Sequence, residues 1–140
     1  MARTSTSTQK IKILSLSDEI TALIYSPRVK VLFNDVNLVV GCGDLPYHYL
    51  DYVMCNLNKP LVYVQGNHVQ YRGNQVASGS EVHGGIDVHR RVIRDQQILI
   101  AGVAGSLVYS QGPYQFTQFQ MWLHVLSLVP RLLLHRVLYG

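Results

Sequence analysis

Two hydrophobic periods alternate along the first half of the chain, and each change of period marks an element. Lys10 to Ser17 (KIKILSLS) alternates lysine with isoleucine and then turns apolar, which predicts a strand entering a core. Ser26-Pro27 reads as a helix start, with serine as the cap and proline at the first helical position. That helix is expected over Arg28 to Phe33, ending at Asn34-Asp35. Asn37 to Val40 is short and almost wholly apolar, as in a parallel strand buried on both faces, and it ends in Gly41-Cys42-Gly43-Asp44. Pro46 opens a second helical pattern, Tyr47 to Leu57, closed by Asn58 and Pro60. A third strand, Leu61 to Gln65, ends in Gly66-Asn67-His68.

The order β-α-β-α-β predicts an α/β fold. Right-handed crossovers make its strands parallel and adjacent. The three polar loops then fall on one sheet edge, where open α/β folds bind ligands. Val69 to Gly85, rich in Gly, Ser, Asn and Gln, is expected to be a long surface loop. Arg91–Arg94 and Gln97–Val103 are expected to pair as a hairpin about a two-residue turn, Asp95-Gln96. From Thr117 to Leu138 the pattern is helical, with Pro130 kinking or dividing it. Residues 1–9 (MARTSTSTQ) read as a loose tail, and residues 10–140 as one domain without internal repeats.

Composition narrows the function classes. Of 140 residues, 48% are hydrophobic and only 14% charged, which excludes extensive disorder. The apolar surplus is also what part of a larger body shows when the remainder would cover it. The net charge of +4 has no basic stripe; its densest cluster is His89-Arg90-Arg91 with Arg94, an ordinary solvated surface. No nucleic-acid partner is indicated. Cys42 and Cys55 cannot build a disulfide framework and are expected to be small core residues in a reducing compartment. The N-terminus lacks the apolar core of a secretory signal. Met121 to Val129 stops at Pro130-Arg131, short of the roughly 20 residues that a membrane span needs. The expectation is a cytoplasmic protein without a membrane partner.

The candidate chemistry sits at the strand ends. Asp18 precedes Asp44 by 26 residues, and Asp44 precedes Asn67 by 23, so one strand–helix unit fits each gap. Two carboxylates, an amide oxygen and the His68 imidazole converging there suit divalent cations: oxygen donors favour Mn²⁺ or Mg²⁺, and imidazole favours Zn²⁺ or Fe. A carboxylate on the middle strand, Asp44, could bridge two such ions and so clamp a phosphoester. Taken singly, Asp18 and Asp44 read as turn or helix-cap carboxylates and Asn67-His68 as a plain turn; their common edge favours the metal site.

Asp18 after an apolar strand, then Gly43-Asp44, then Gly66-Asn67-His68, resembles the calcineurin-like metallophosphoesterases, whose motifs run D-x-H, G-D, G-N-H-[DE], a lone His, and G-H-x-H. The resemblance implies a sandwich of two β-sheets flanked by helices, two metal ions, and hydrolysis of phosphomonoesters or phosphodiesters. By that resemblance Asp18 ligates the first ion, Asp44 bridges both, Asn67 binds the second, and His68 protonates the leaving group or steadies the phosphate. The family's first His falls at Ile20; Glu19 can substitute only if the chain has already turned there, because neighbouring strand residues face opposite ways. Val69 replaces the acid after G-N-H, and neither C-terminal motif is present, so the resemblance implies a domain truncated to its N-terminal portion.

Tyr47, beside the Asp44 loop, is a candidate to touch substrate, although packing is the simpler role for it and for Tyr49 and Tyr52. His48 reads as a partly exposed helix residue. Two other readings compete with the hydrolase. One is a non-catalytic metallophosphoesterase remnant or binding module. The weaker one is an S-adenosylmethionine-dependent methyltransferase-like domain, suggested by the glycine-rich turn Val39 to Asp44 but lacking a further glycine at Leu45-Pro46.

Overall fold

A computed structural model describes residues 10–68, 71–72, 75–76, 81–95, 97–110 and 112–139. The expected tail, residues 1–9, lies outside the described residues, as does much of the long loop expected over Val69 to Gly85. In chain order the elements are β1 (Ile13–Leu16), α1 (Val29–Leu32), β2 (Leu38–Cys42), α2 (Tyr47–Leu57), β3 (Leu61–Val64), β4 (Tyr71–Arg72) and β5 (Gln75–Val76). There follow β6 (Ile86–Asp87), β7 (Val92–Asp95), β8 (Ile98–Ala101), β9 (Ser106–Leu107), β10 (Gln115–Phe116) and α3 (Gln118–Tyr139).

The architecture is mixed α/β. Strands β1, β2, β3 and β6 form one sheet in that order, and every pairing in it is parallel. Leu14 lies opposite Val39, and Val39 opposite Leu61, so the three N-terminal strands share a register that sends their C-terminal loops to one edge. Alternation along β2 and β3 separates two apolar cores. Val39, Leu61 and Tyr63 pack with Val29 of α1 and with Tyr49, Leu50, Val53 and Leu57 of α2. Leu38, Val62 and Val88 pack on the other side with Ile93, Ile98 and Ile100 of the β7–β8 hairpin. The sheet is thus covered on both faces, as an all-parallel sheet must be.

Helix α2 has the bounds its sequence predicts, with Pro46 before its first residue and Asn58 closing it in a left-handed conformation. Helix α1 is shorter than expected and begins after Arg28 without a side-chain cap. The Ser26 hydroxyl donates backwards to the Leu23 carbonyl, so a turn upstream takes the group expected to cap the helix. The hairpin pairs antiparallel with Asp95 opposite Ile98, which places Asp95 in the strand rather than in the turn; Gln96 lies outside the described residues.

Two further expectations are corrected. Cys42 and Cys55 are exposed, because Cys42 lies at the open end of β2 and Cys55 on the solvent side of α2. Pro130 neither ends nor divides α3, which runs through it as one helix. Gln118–Leu138 is therefore long and apolar enough, by length and composition, to cross a membrane, and only 6% of its most apolar 18-residue stretch is buried. Its inner face touches β7, β8 and β10, while Phe119, Trp122, Leu126, Leu133 and Val137 point outward and are exposed.

Candidate functional site at the C-terminal sheet edge

The three strand-end loops meet. The Asp18 amide donates to the Gly43 carbonyl across 3.4 Å, joining the end of β1 to the loop after β2. Oδ1 of Asp44 accepts the amide N–H of His68 at 2.9 Å, joining that loop to the one after β3. Glycine makes this approach possible. A Cβ on Gly66 would lie 1.8 Å from Asp44 Oδ1 and 2.4 Å from the Asp44 amide nitrogen. A Cβ on Gly43, whose φ is +90°, would lie 3.2 Å from the Cα of Gly66. The glycines of the G-D and G-N-H motifs thus face each other.

Both carboxylates occupy left-handed backbone, Asp18 at φ +62° and Asp44 at φ +50°. Such conformations cost about 1 kcal/mol or more outside glycine, least for Asn and Asp, and are concentrated at functional turns. At Asp18 the turn is tight: the Glu19 amide donates to the Ser17 carbonyl at 2.7 Å. Strand alternation has ended by this point, which is the condition under which Glu19 can face the same edge as Asp18. Both side chains are exposed.

A residue that sequence reasoning missed closes the site. The Tyr109 hydroxyl receives a hydrogen bond from Nδ2 of Asn67 and lies 3.0 Å from Nε2 of His68. Its loop is held by one backbone tie to the residue after β3 and by side-chain ties to His89 and Gln115. Gly105 donates to the Gln65 carbonyl at 2.8 Å, and the Ala104 amide donates to Nδ1 of His89 at 2.9 Å. The Gln115 side chain then accepts from the amides of Tyr109 and Ser110 at 3.2 and 2.9 Å. Some 41 residues separate Tyr109 from His68, so no local pattern links them. The available signal was that Gln97 to Val103, like the three earlier apolar runs, leads into small and polar residues.

Tyr47 lies beside the end of β3, where its hydroxyl is hydrogen-bonded to Gln65, the residue before Gly66. Its ring packs edge-on against Tyr63 of β3 at 6.0 Å, and burial raises its hydroxyl pKa to about 12, with Tyr63, Tyr114 and Asp87 adding to the rise and Gln65 opposing it. His48 is exposed and meets Tyr25 edge-on. Arg90, Arg91 and Arg94 are exposed on the hairpin side, where Arg91 donates to the Asp87 carbonyl.

The oxygen donors at the edge are of the kind a hard divalent cation takes. Asp44 keeps Oδ2 free of the bond to His68, and Asn67, with Nδ2 committed to Tyr109, keeps Oδ1 as an acceptor. Asp18 adds a carboxylate tied to the same loop. Among the described residues, however, no three His, Cys, Asp or Glu side chains lie close enough together to hold a metal ion. The set thus fits a cation in donor type while offering fewer ionised ligands than a paired centre uses. No protein-family model, curated protein or solved structure matches the chain, so the resemblance rests on these motifs and their geometry.

Proposed function

We propose that the chain carries the first half of a metallophosphoesterase-type site and acts on phosphoesters with the help of divalent cations. The reading is supported above all by the contact between the G-D and G-N-H loops through Asp44 and the His68 amide. Two packed sheets flanked by helices, the architecture the family implies, are compatible with the parallel sheet and the hairpin laid on its face.

Asp18, Asp44 and Oδ1 of Asn67 would hold the cation, with Glu19 as a further candidate ligand. A divalent ion there supplies charge neutralisation for a phosphate and a more acidic water. The chain's own residues do the rest. Asp44, fixed by the His68 amide, holds the two loops at constant separation. His68, exposed at the edge, is the group that would give a proton to the departing oxygen.

The scarcity of ionised ligands favours a second reading, a non-catalytic module that binds a phosphate or a cation without turnover. Hydrolysis of p-nitrophenyl phosphate and bis(p-nitrophenyl) phosphate, with Mn²⁺, Mg²⁺, Zn²⁺ or Fe²⁺ added in turn, separates the two. Turnover that needs added metal and falls at least about a hundredfold in Asp44→Asn supports the hydrolase. No turnover by folded protein with any of these metals supports the module.

A further inference from the structure

We propose that Tyr109 is a positioning residue that fixes which nitrogen of His68 carries the proton and ties that choice to Asn67. Its meaning for catalysis rests on the phosphoester reading above, whereas the proton placement does not. The Asn67 amide nitrogen can only donate, so the phenolic oxygen is its acceptor. The phenol has one proton of its own, and Nε2 of His68 lies 3.0 Å away. A head-to-tail chain, Asn67 N–H to Tyr109 O–H to His68 Nε2, lets each bond polarise the next. Two donors aimed at one oxygen would weaken each other. The chain therefore leaves Nε2 bare and puts the proton of the neutral imidazole on Nδ1.

The arrangement has two consequences at the site. Engaging Nδ2 turns Oδ1 of Asn67 into the amide's free donor atom, as cation binding requires. A cation held by that oxygen would draw electron density from the amide and so strengthen its N–H as a donor to Tyr109. The loop is built to keep the phenol in place: Gln115 holds the amides of Tyr109 and Ser110, and Nε2 of Gln115 donates to the Ser110 hydroxyl at 2.8 Å. The Tyr109 side is nevertheless open, with the residue 63% exposed, so the phenol can meet a ligand as well as its two partners.

Long-range ¹H–¹⁵N spectra of the ¹⁵N-histidine-labelled chain, recorded at about pH 8, read the proton position directly. Wild type is expected to show His68 with Nε2 unprotonated and Nδ1 protonated. Tyr109→Phe is expected to shift His68 toward the Nε2–H form while the other histidines keep their signals. A wild-type His68 protonated on Nε2 overturns the proposal, and that spectrum needs no variant to fold. An unchanged His68 in folded Tyr109→Phe overturns it as well. In the hydrolysis assay, Tyr109→Phe should cost about tenfold on phenyl esters and less on p-nitrophenyl esters, whose departing oxygen needs no proton. Equal losses on both remove Tyr109 from proton delivery. If wild type turns over neither ester while the Nδ1–H form is observed, the hydrolase reading fails and the placement by Tyr109 stands.

Discussion

Replacing Gly66 by alanine probes the contact on which the site depends. The added Cβ would lie 1.8 Å from Asp44 Oδ1, 2.4 Å from its Cγ and 2.4 Å from its backbone nitrogen. A rotamer change could move the carboxylate but not the amide, so the two loops must separate. Separation breaks the bond from the His68 amide to Asp44, a hydrogen bond to a charged group worth roughly 1.5–3 kcal/mol. Forcing a methyl group into packed surroundings costs roughly 1–3 kcal/mol more. A loss of roughly 2.5–6 kcal/mol follows, or roughly 10–20 °C in Tm for a domain of this size. Guanidinium unfolding followed by circular dichroism measures it as a lower midpoint at unchanged slope. In an Asp44→Ala background the cost of Gly66→Ala should shrink by roughly 1.5–3 kcal/mol without vanishing, because the backbone clash remains. A Gly66→Ala protein within about 0.5 kcal/mol of wild type would refute the packing of these loops on one another.

Two other predictions concern titratable groups. Cys42 and Cys55 are exposed, so both thiols should react with a disulfide reagent in the native protein; reaction only after denaturation contradicts the described placement. Burial lowers the His89 pKa, with the Asp87 carboxylate partly offsetting it and His124 and Arg90 adding to the lowering. The folded state therefore favours the neutral ring, which also accepts the Ala104 amide. Its contribution to stability is present above the ordinary histidine value of about 6.5 and is lost as the pH falls below it. Urea unfolding from about pH 8 to 5 should be less pH-dependent in His89→Gln than in wild type, and equal dependence would count against the half-buried neutral imidazole.

The parallel βαβ core was legible in the sequence because its signals are local. Proline before Tyr47 and asparagine after Leu57 delimit α2 to the residue, and wholly apolar runs mark β2 and β3. The three polar clusters fell on one edge because crossover handedness leaves little choice. What the sequence hid depends on tertiary context. Strand β6 is two residues long, too short for a period, and is recognisable only by its pairing with Val62 and Tyr63. Cys42 lies in an apolar stretch yet ends its strand at the open edge, where apolar neighbours in sequence do not mean burial. Pro130 reads in the sequence as a kink or division, but a helix with one side in solvent can carry a proline where its lost hydrogen bond faces water. Tyr109 reaches the site only after the hairpin has returned the chain to β3.

Cation binding at the sheet edge is the most direct test of the account. Titrating the folded chain with Mn²⁺ and following the free-ion signal by electron paramagnetic resonance reports binding without requiring turnover. The account predicts saturable binding that weakens at least about tenfold in Asp18→Asn and in Asp44→Asn, with the folded state retained in both. Binding that neither substitution alters, or none at all by the folded chain, would contradict it.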